Sequence, residues 1–436
     1  MNKKLLLAGL AGILSLATAC KKDDPSPKPT PTPQPGFTIE AKTTDLLQFD
    51  TVRLSAQGTK ADAKLSWVLN GKEVGEGKDY AFTLPRVGRY QVSLVDKTSG
   101  EKVSKDLSVT ARFTSGAFLL NEGNFGNETG TLTYIDASKQ FVLDSAYIRV
   151  NGTKLGNVCQ DMAFANGKVY IISQNGPMNG GEGLLTIADA KTLEKHKVIN
   201  DAALAKDQPT HIAVIHSRIY LRGNKGIYRG TEEGSFKLIP GTEKANKLRM
   251  VTIGELVIAT TSTNKLLVIQ DEEVKQTFTL PEASPSGLAL APDGQLWLSY
   301  SKPNTLAKVS VSASGVKILD KHTTTQSLDK QWTATSAIFA RANQIFFTEQ
   351  SSVIYRHDFS TGETKEIVDV QKVDKQAKMY YNSLGIDPKT GHIYYASFDD
   401  YSTYKKNVTL VLDHDGKVLL KREHVNAFPA GFYFIP

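Results

Sequence analysis

Eight histidines are the side chains best suited to acid–base or metal chemistry: His196, His211, His216, His322, His357, His392, His414 and His424. They are scattered. No H-x-x-x-H or C-x-x-C pair occurs, so spacing gives no His/Cys metal site. Asp413-His414-Asp415-Gly416 begins like a calcium loop, but the twelfth position is not glutamate, and the run reads as a β-turn. Cys159 precedes an apolar run and reads as a small buried hydrophobe rather than a nucleophile. There is no G-x-S-x-G, no Gly-rich phosphate loop and no sialidase-type Asp box. The expectation is a protein without catalytic residue, metal or cofactor.

The chemistry that remains is recognition. Three segments, NEGNFGNETG (121–130), QNGPMNGGEG (174–183) and FDDYSTYKKN (398–407), combine Asn and Gly with aromatic and thioether side chains. Asn and Gln each donate and accept, and aromatic rings offer flat apolar contact. Candidate contacts in these segments are Asn124, Phe125, Asn175, Met178, Tyr401 and Tyr404. Further candidates lie where the chain approaches an apolar strand: Gln160, Asp161, His211, Arg249, Trp332, Tyr381, Asn382 and Phe428. Such a set suits a large, mostly neutral, amide-bearing ligand. Each residue also reads as ordinary loop packing, and His211 as a hydrogen-bonded rim histidine.

Those loops need a scaffold, and the sequence repeats to supply one. Six paired strands begin at Gln160, Pro209, Asn246, Pro285, Thr335 and Asn382. Equivalent second-strand positions are Tyr170, Tyr220, Val257, Trp297, Phe346 and Tyr394, with successive gaps of 50, 37, 40, 49 and 48 residues. Several strands in each period of about 40 to 50 residues predict a β-propeller. Asn166-Gly167 and Asp293-Gly294 supply hairpin turns. The terminal PAGFYFIP reads as an inner strand without a successor, and GAFLLNEG from Gly116 as a second strand without a predecessor. Paired, they complete a seventh blade and remove two open edges. In this architecture the three Asn-rich loops and the inner-strand approaches share one face. The opposite face carries short NG, DG and KTG turns.

Residues 37–112 read differently. Short alternating strands, an Asn70-Gly71 hairpin and a mid-strand Trp67 predict a small β-sandwich. Gly88-Arg89-Tyr90-Gln91-Val92 resembles the G-x-Y-x-V strand of PKD-like and immunoglobulin-like modules. The propeller is expected over 113–436.

The first residues are an address. Lys3-Lys4, an apolar run from Leu5 to Leu16 and the small residues Ala17-Thr18-Ala19 form a secretory signal over 1–19. The run is too short to span a bilayer as a helix. Cys20 follows in the manner of a bacterial lipobox, which implies lipidation of its sulfur and amino group. Three acyl chains anchor durably, whereas one does not. Lys21-Lys22-Asp23-Asp24 resembles the export tag of Bacteroidota surface lipoproteins. PSPKPTPTPQPG (25–36) is an extended spacer, so 20–36 forms an anchored stalk. The 436 residues are 40% apolar and 22% charged, with mean hydropathy −0.27, which excludes a polytopic membrane protein. Lys+Arg (52) nearly balance Asp+Glu (45) and no basic run exceeds two or three residues, so nothing indicates nucleic acid.

The lipobox, the tagged stalk, the LLNEGNFG opening, QDM before an inner strand, GI-x-P-x-TG and the terminal PAGFYF together resemble the surface-layer-type (YncE-like) propeller lipoproteins of Bacteroidota. They are similar in particular to the members that capture cobalamin above TonB-dependent transporters. The resemblance covers 116–436. It implies a seven-bladed propeller on the outer membrane, facing the cell exterior, whose loop face grips a corrinoid and passes it to a TonB-dependent receptor. A propeller enzyme of lyase or lactonase type, with Glu122, Asp161 and His211 converging in the funnel, is an alternative expectation. An adhesion or envelope-structural role is another.

Overall fold

The computed structural model describes residues 36–330, 336–378, 382, 384–425 and 428–436. The signal peptide, Cys20 and the stalk before Gly36 lie outside the described residues, as do Trp332 and Tyr381.

Residues 38–110 form two sheets. One has three strands in the order Thr38–Ala41, Thr51–Gln57, Asp79–Thr83. The other has five, in the order Asp45–Leu47, Lys102–Thr110, Gly88–Asp96, Leu65–Leu69, Lys72–Glu76. Alternation drives the packing: in Thr51–Gln57 the residues Val52, Leu54 and Ala56 point inward while Thr51, Arg53 and Gln57 face solvent. Trp67 fills the space between the sheets, fully buried, and its indole N–H donates to the Gly77 carbonyl at 2.9 Å. Asn70 (φ 47°) and Gly71 (φ 86°) take the two left-handed positions of the expected hairpin turn.

From Ala117 onward the described residues form seven four-stranded antiparallel sheets. The seven inner strands are Asn157–Ala165, His211–Ile215, Val251–Ile253, Ala283–Leu290, Phe339–Arg341, Leu384–Ile386 and Pro429–Phe434. Each contacts the next, and the last contacts the first, so they close a ring. This is a β-propeller. The closing sheet pairs the two chain ends, with Phe432 opposite Leu119 and Tyr433 opposite Phe118. A hydrophobic cluster lies at every junction between neighbouring sheets. The repeated positions Tyr170, Tyr220, Val257, Trp297, Phe346 and Tyr394 all sit on second strands and feed these clusters, each at most 1% exposed. Burying one such side chain stabilises by about 1.5–3 kcal/mol, so the ring is held by many equivalent contacts.

The turns differ in detail. Asn166 (φ 53°) and Gly167 (φ 71°) make the expected two-residue turn. At Asp293-Gly294 only Gly294 is left-handed (φ 84°), and the Ala291 amide instead donates to the Gln295 carbonyl across a longer loop.

The sandwich is docked on the ring. Gln48 Nε2 donates to the Thr192 carbonyl at 3.0 Å and Arg86 Nε to the Val150 carbonyl at 3.2 Å. Arg112 pairs with Asp50 and lies 3.9 Å over the Phe141 ring. Phe113 is fully buried between Phe118 and Tyr134.

Candidate functional site

The loops joining second and third strands emerge beside the starts of the inner strands, so the three Asn-rich segments and the approaches share one face, as expected. The asparagines brace the loops. Asn124 Oδ1 accepts from the Gly126 amide at 2.8 Å, and its carbonyl accepts from Asn157 Nδ2 at 2.9 Å. Asn175 Nδ2 donates to Asn157 Oδ1 at 2.7 Å. Asn179 Nδ2 donates to the Phe125 carbonyl at 3.1 Å, and Lys405 pairs with Glu128. Loops 121–130, 174–183 and 398–407 are thereby tied to one another.

The apolar candidates are what the bracing leaves outward. Phe125 is 58% exposed, Met178 46% and Tyr401 53%. Tyr401 and Tyr404 meet Phe428 at ring distances of 5.8 and 4.9 Å, and buried Phe398 backs Phe428 at 5.3 Å. Phe428 is fixed by its carbonyl, which accepts from the Glu122 amide at 2.7 Å. A short helical turn, Tyr401–Thr403, is capped by Asp400, whose side chain accepts from the Ser402 amide at 2.7 Å. Two sequence-distant loops therefore present one aromatic ledge. Asn382 lies two residues before its inner strand in a left-handed conformation (φ 44°).

The remaining candidates lie below the rim. Gln160, Asp161 and His211 are all buried. Asp161 Oδ1 accepts from the Tyr433 hydroxyl at 2.7 Å and lies 3.3 Å from Arg249 Nε, while Oδ2 accepts from the Ile212 amide at 3.1 Å. Burial pushes its carboxyl up, and Arg249, Tyr433 and the amides of Ile212 and Met162 oppose that push. The guanidinium of Arg249 sits 4.6 Å over the Tyr433 ring. Gly431 (φ 143°) leaves it room, because a Cβ there would stand 3.3 Å from Arg249 Nη2. Beyond this knot a channel of about 360 Å³ runs toward the short-turn face, with mostly apolar walls that include Ile212, Met250, Leu288, Ile338 and Phe432.

His211 is fully buried, which corrects the expectation of a rim position. Its Nδ1 bonds Thr210 Oγ1 at 2.9 Å, and its Nε2 has no hydrogen-bond partner among the described residues. Burial, then the charges of Lys247, Arg222, Arg249 and Lys330, hold its pKa well below the usual value, so the ring is neutral. Arg222 stands opposite His211 in the strand pairing and donates to the Ala245 carbonyl at 3.2 Å. Burial and the charges of Lys247 and Arg222 lower the Lys330 ammonium to about 8. Arg222 and Lys330 went unnoticed in the sequence. The cross-strand register opposite His211 could have found Arg222, whereas Lys330 lies in a loop without any repeat signal.

Among the described residues no three of His, Cys, Asp and Glu gather to hold a metal ion. Cys159 is fully buried, and burial together with Glu122 raises its thiol far above the ordinary value. No described helix is long and apolar enough to cross a membrane.

Residues 115–435 match the model of a family described as "Domain of unknown function (DUF5074)". The chain belongs to the DUF5074 family. The DUF5074 region thus spans the whole ring of sheets, and the loops above it are part of the same unit. Residues 27–103 match a second model, described as "Penicillin-Binding Protein C-terminus Family". No curated protein matches the sequence. Among solved structures, the chain is similar to a quinonprotein alcohol dehydrogenase-like protein from Bacteroides thetaiotaomicron. The identity is 16% and the TM-score 0.60, over 90% of this chain and 96% of that one. A protein from Lactobacillus plantarum is similar at 12% identity and TM-score 0.51, over 74% of this chain and 100% of that one. At these identities the likeness is one of fold.

Proposed function

We propose that this DUF5074 protein is a surface lipoprotein that captures a small ligand on its long-loop face and makes or breaks no bond. In this reading the seven sheets are the seven blades, and the N-terminal sandwich is a PKD/Ig-like spacer. Cys20 carries the lipid, and the outer membrane holds the protein facing outward beside a TonB-dependent receptor. The ligand is a corrinoid. Its flat macrocycle suits the ledge of Tyr401, Tyr404 and Phe428, with Phe125 and Met178 exposed on the loops tied to it.

The observation that carries the reading is the bracing of the loops. Exposed aromatic side chains usually cost order on binding, but here the loops are already cross-linked by Asn124, Asn157, Asn175 and the Lys405–Glu128 pair. A preformed surface spends little free energy on ordering. Tethering beside a transporter then raises the local ligand concentration.

Calorimetric titration of the chain with cyanocobalamin tests this. Saturable binding at micromolar concentration or tighter, weakened about tenfold or more by Phe428→Ala, is the expected result. No binding to the unmodified chain at that concentration removes the corrinoid reading.

A further inference from the structure

Two histidines that the candidate site does not use join neighbouring sheets. His322 lies in Gly315–Thr323, the outer strand of one sheet, and His357 in Val353–Asp358, the third strand of the next. Their imidazoles face each other, with His322 Nδ1 2.9 Å from His357 Nε2 and the ring planes at 76°. His357 is 1% exposed, and its Nδ1 bonds Thr364 Oγ1 at 2.8 Å. His322 is half-buried and lies flat on Phe359 at a ring distance of 3.8 Å. Phe359 in turn meets buried Trp297 at 4.7 Å. Packing of the junction therefore holds both rings in place.

The charges around the pair are engaged elsewhere. Lys321 pairs with Glu282 and Lys365 with Glu363, while Lys308 lies over the Trp297 ring. Asp320 Oδ1 accepts from the Lys321 amide at 2.8 Å, and Asp358 Oδ1 from the Ser360 amide at 2.8 Å. Among the described residues no carboxylate hydrogen-bonds either imidazole. Burial and then His322 hold the His357 ring below its ordinary value, and Asp358 opposes them.

The bond between the rings needs one proton on the two facing nitrogens. It survives one charged ring, since an imidazolium still donates to a neutral imidazole. It does not survive two. Both facing nitrogens then carry a proton, and two like charges stand side by side at a junction that is poorly solvated.

We propose that this imidazole pair is a pH-sensitive latch between two neighbouring sheets, closed while the facing nitrogens share one proton and opened when acid supplies a second. The latch sits at the root of a segment tied to both sheets. The Thr324 amide donates to the Asn304 carbonyl at 3.0 Å and the Leu328 amide to Asn304 Oδ1 at 3.0 Å, while the Ser327 amide donates to Glu349 Oε1 at 2.6 Å. Opening the latch loosens this bridge, whatever ligand the loop face takes.

The sign follows from proton counting. In the unfolded chain both histidines take a proton as pH falls through roughly 6.5. The folded pair takes fewer, so stability is lost as pH falls. The test is thermal melting of the full chain and of His322→Asn at pH 7.5 and pH 5.0. Asparagine keeps a hydrogen-bonding side chain and cannot be charged. The melting temperature of the unmodified chain is expected to fall by about 2 °C or more beyond the fall in the variant. His211 and His392 also resist protonation, but they are the same in both proteins. An equal fall in both proteins overturns the latch. Should the variant fail to fold, the unmodified chain labelled with ¹⁵N-histidine decides. One ring of the pair is expected to stay neutral at pH 5.0 while exposed His414 is charged, and both rings titrating with His414 overturns the latch. Hydrogen exchange at Thr324 and Leu328, corrected for the intrinsic pH effect, is expected to quicken below the pH at which the second ring charges. Unchanged protection there overturns it as well.

Discussion

The hydroxyl of Tyr433, in the last strand of the chain, lies 2.7 Å from Oδ1 of Asp161, in the first full sheet. That bond crosses the seam where the ring closes. It joins the last inner strand to the first, so a buried side-chain bond adds to the strand contact that closes the ring. Tyr433→Phe removes it without changing shape and leaves a buried carboxylate short of a donor. The expected loss is about 1–3 kcal/mol, read from chemical denaturation.

A second tie joins the closing sheet to its neighbour on the other side, between outer strands. His424 Nδ1 lies 2.8 Å from Asp144 Oδ1, which also accepts from Thr133 at 3.0 Å. Burial pushes the Asp144 carboxyl up, but these partners outweigh it and hold the value below the ordinary 3.8. The folded state therefore gains stability from this group above pH 3.8, and loses it as pH falls through the lower folded value. Asp144→Asn is expected to lower the melting temperature at pH 7. Melting curves at pH 7 and pH 3 check this, since the difference should shrink in acid.

Lys330 has the opposite sign. Its ammonium is lowered from 10.5 to about 8, by burial and by Lys247 and Arg222. Below pH 8 the charged form is disfavoured in the folded state only, which costs stability. Between about 8 and 10.5 the unfolded chain binds more protons, so stability rises with pH. Lys330→Met should be more stable than the unmodified chain at pH 7, and that advantage should fade by pH 10.5. His211, Arg249, Glu122 and Asp207 are unchanged in the comparison. Thermal melts of both proteins across this range decide it.

The two cysteines should behave oppositely. Cys159 is fully buried, with its thiol donating to the Gly156 carbonyl at 3.4 Å and a strongly raised pKa. It should resist a thiol reagent until the protein unfolds. Cys20 should take up a labelled fatty acid in cells, and Cys20→Ser should abolish the label and release the protein from the membrane fraction.

The scaffold was legible in the sequence because each blade repeats one demand. Tyr170, Tyr220, Val257, Trp297, Phe346 and Tyr394 recur where a junction between sheets must be filled, and period-two alternation marks the strands around them. The orphan strands at 116 and 429 were legible because an unpaired edge is costly. The site was less so. Asn124 and Asn175 have the chemistry to read a ligand, but the Gly126 amide engages the Asn124 side chain and the Asn157 side chain engages that of Asn175. The His211 cluster draws on residues from separate sheets and a loop, and sequence periodicity carries no record of which charges a closed ring brings together. Residues 45–47 and 108–110 pair in parallel, another long-range relation that local pattern does not encode.

Hydrogen–deuterium exchange with and without cyanocobalamin tests most directly where the ligand sits. Protection is expected in 121–130, 174–183, 398–407 and at Phe428, with little change at the short turns 166–167, 293–294 and 389–391. Protection confined to the short-turn face, or none at saturating ligand, would contradict a capture site on the long loops.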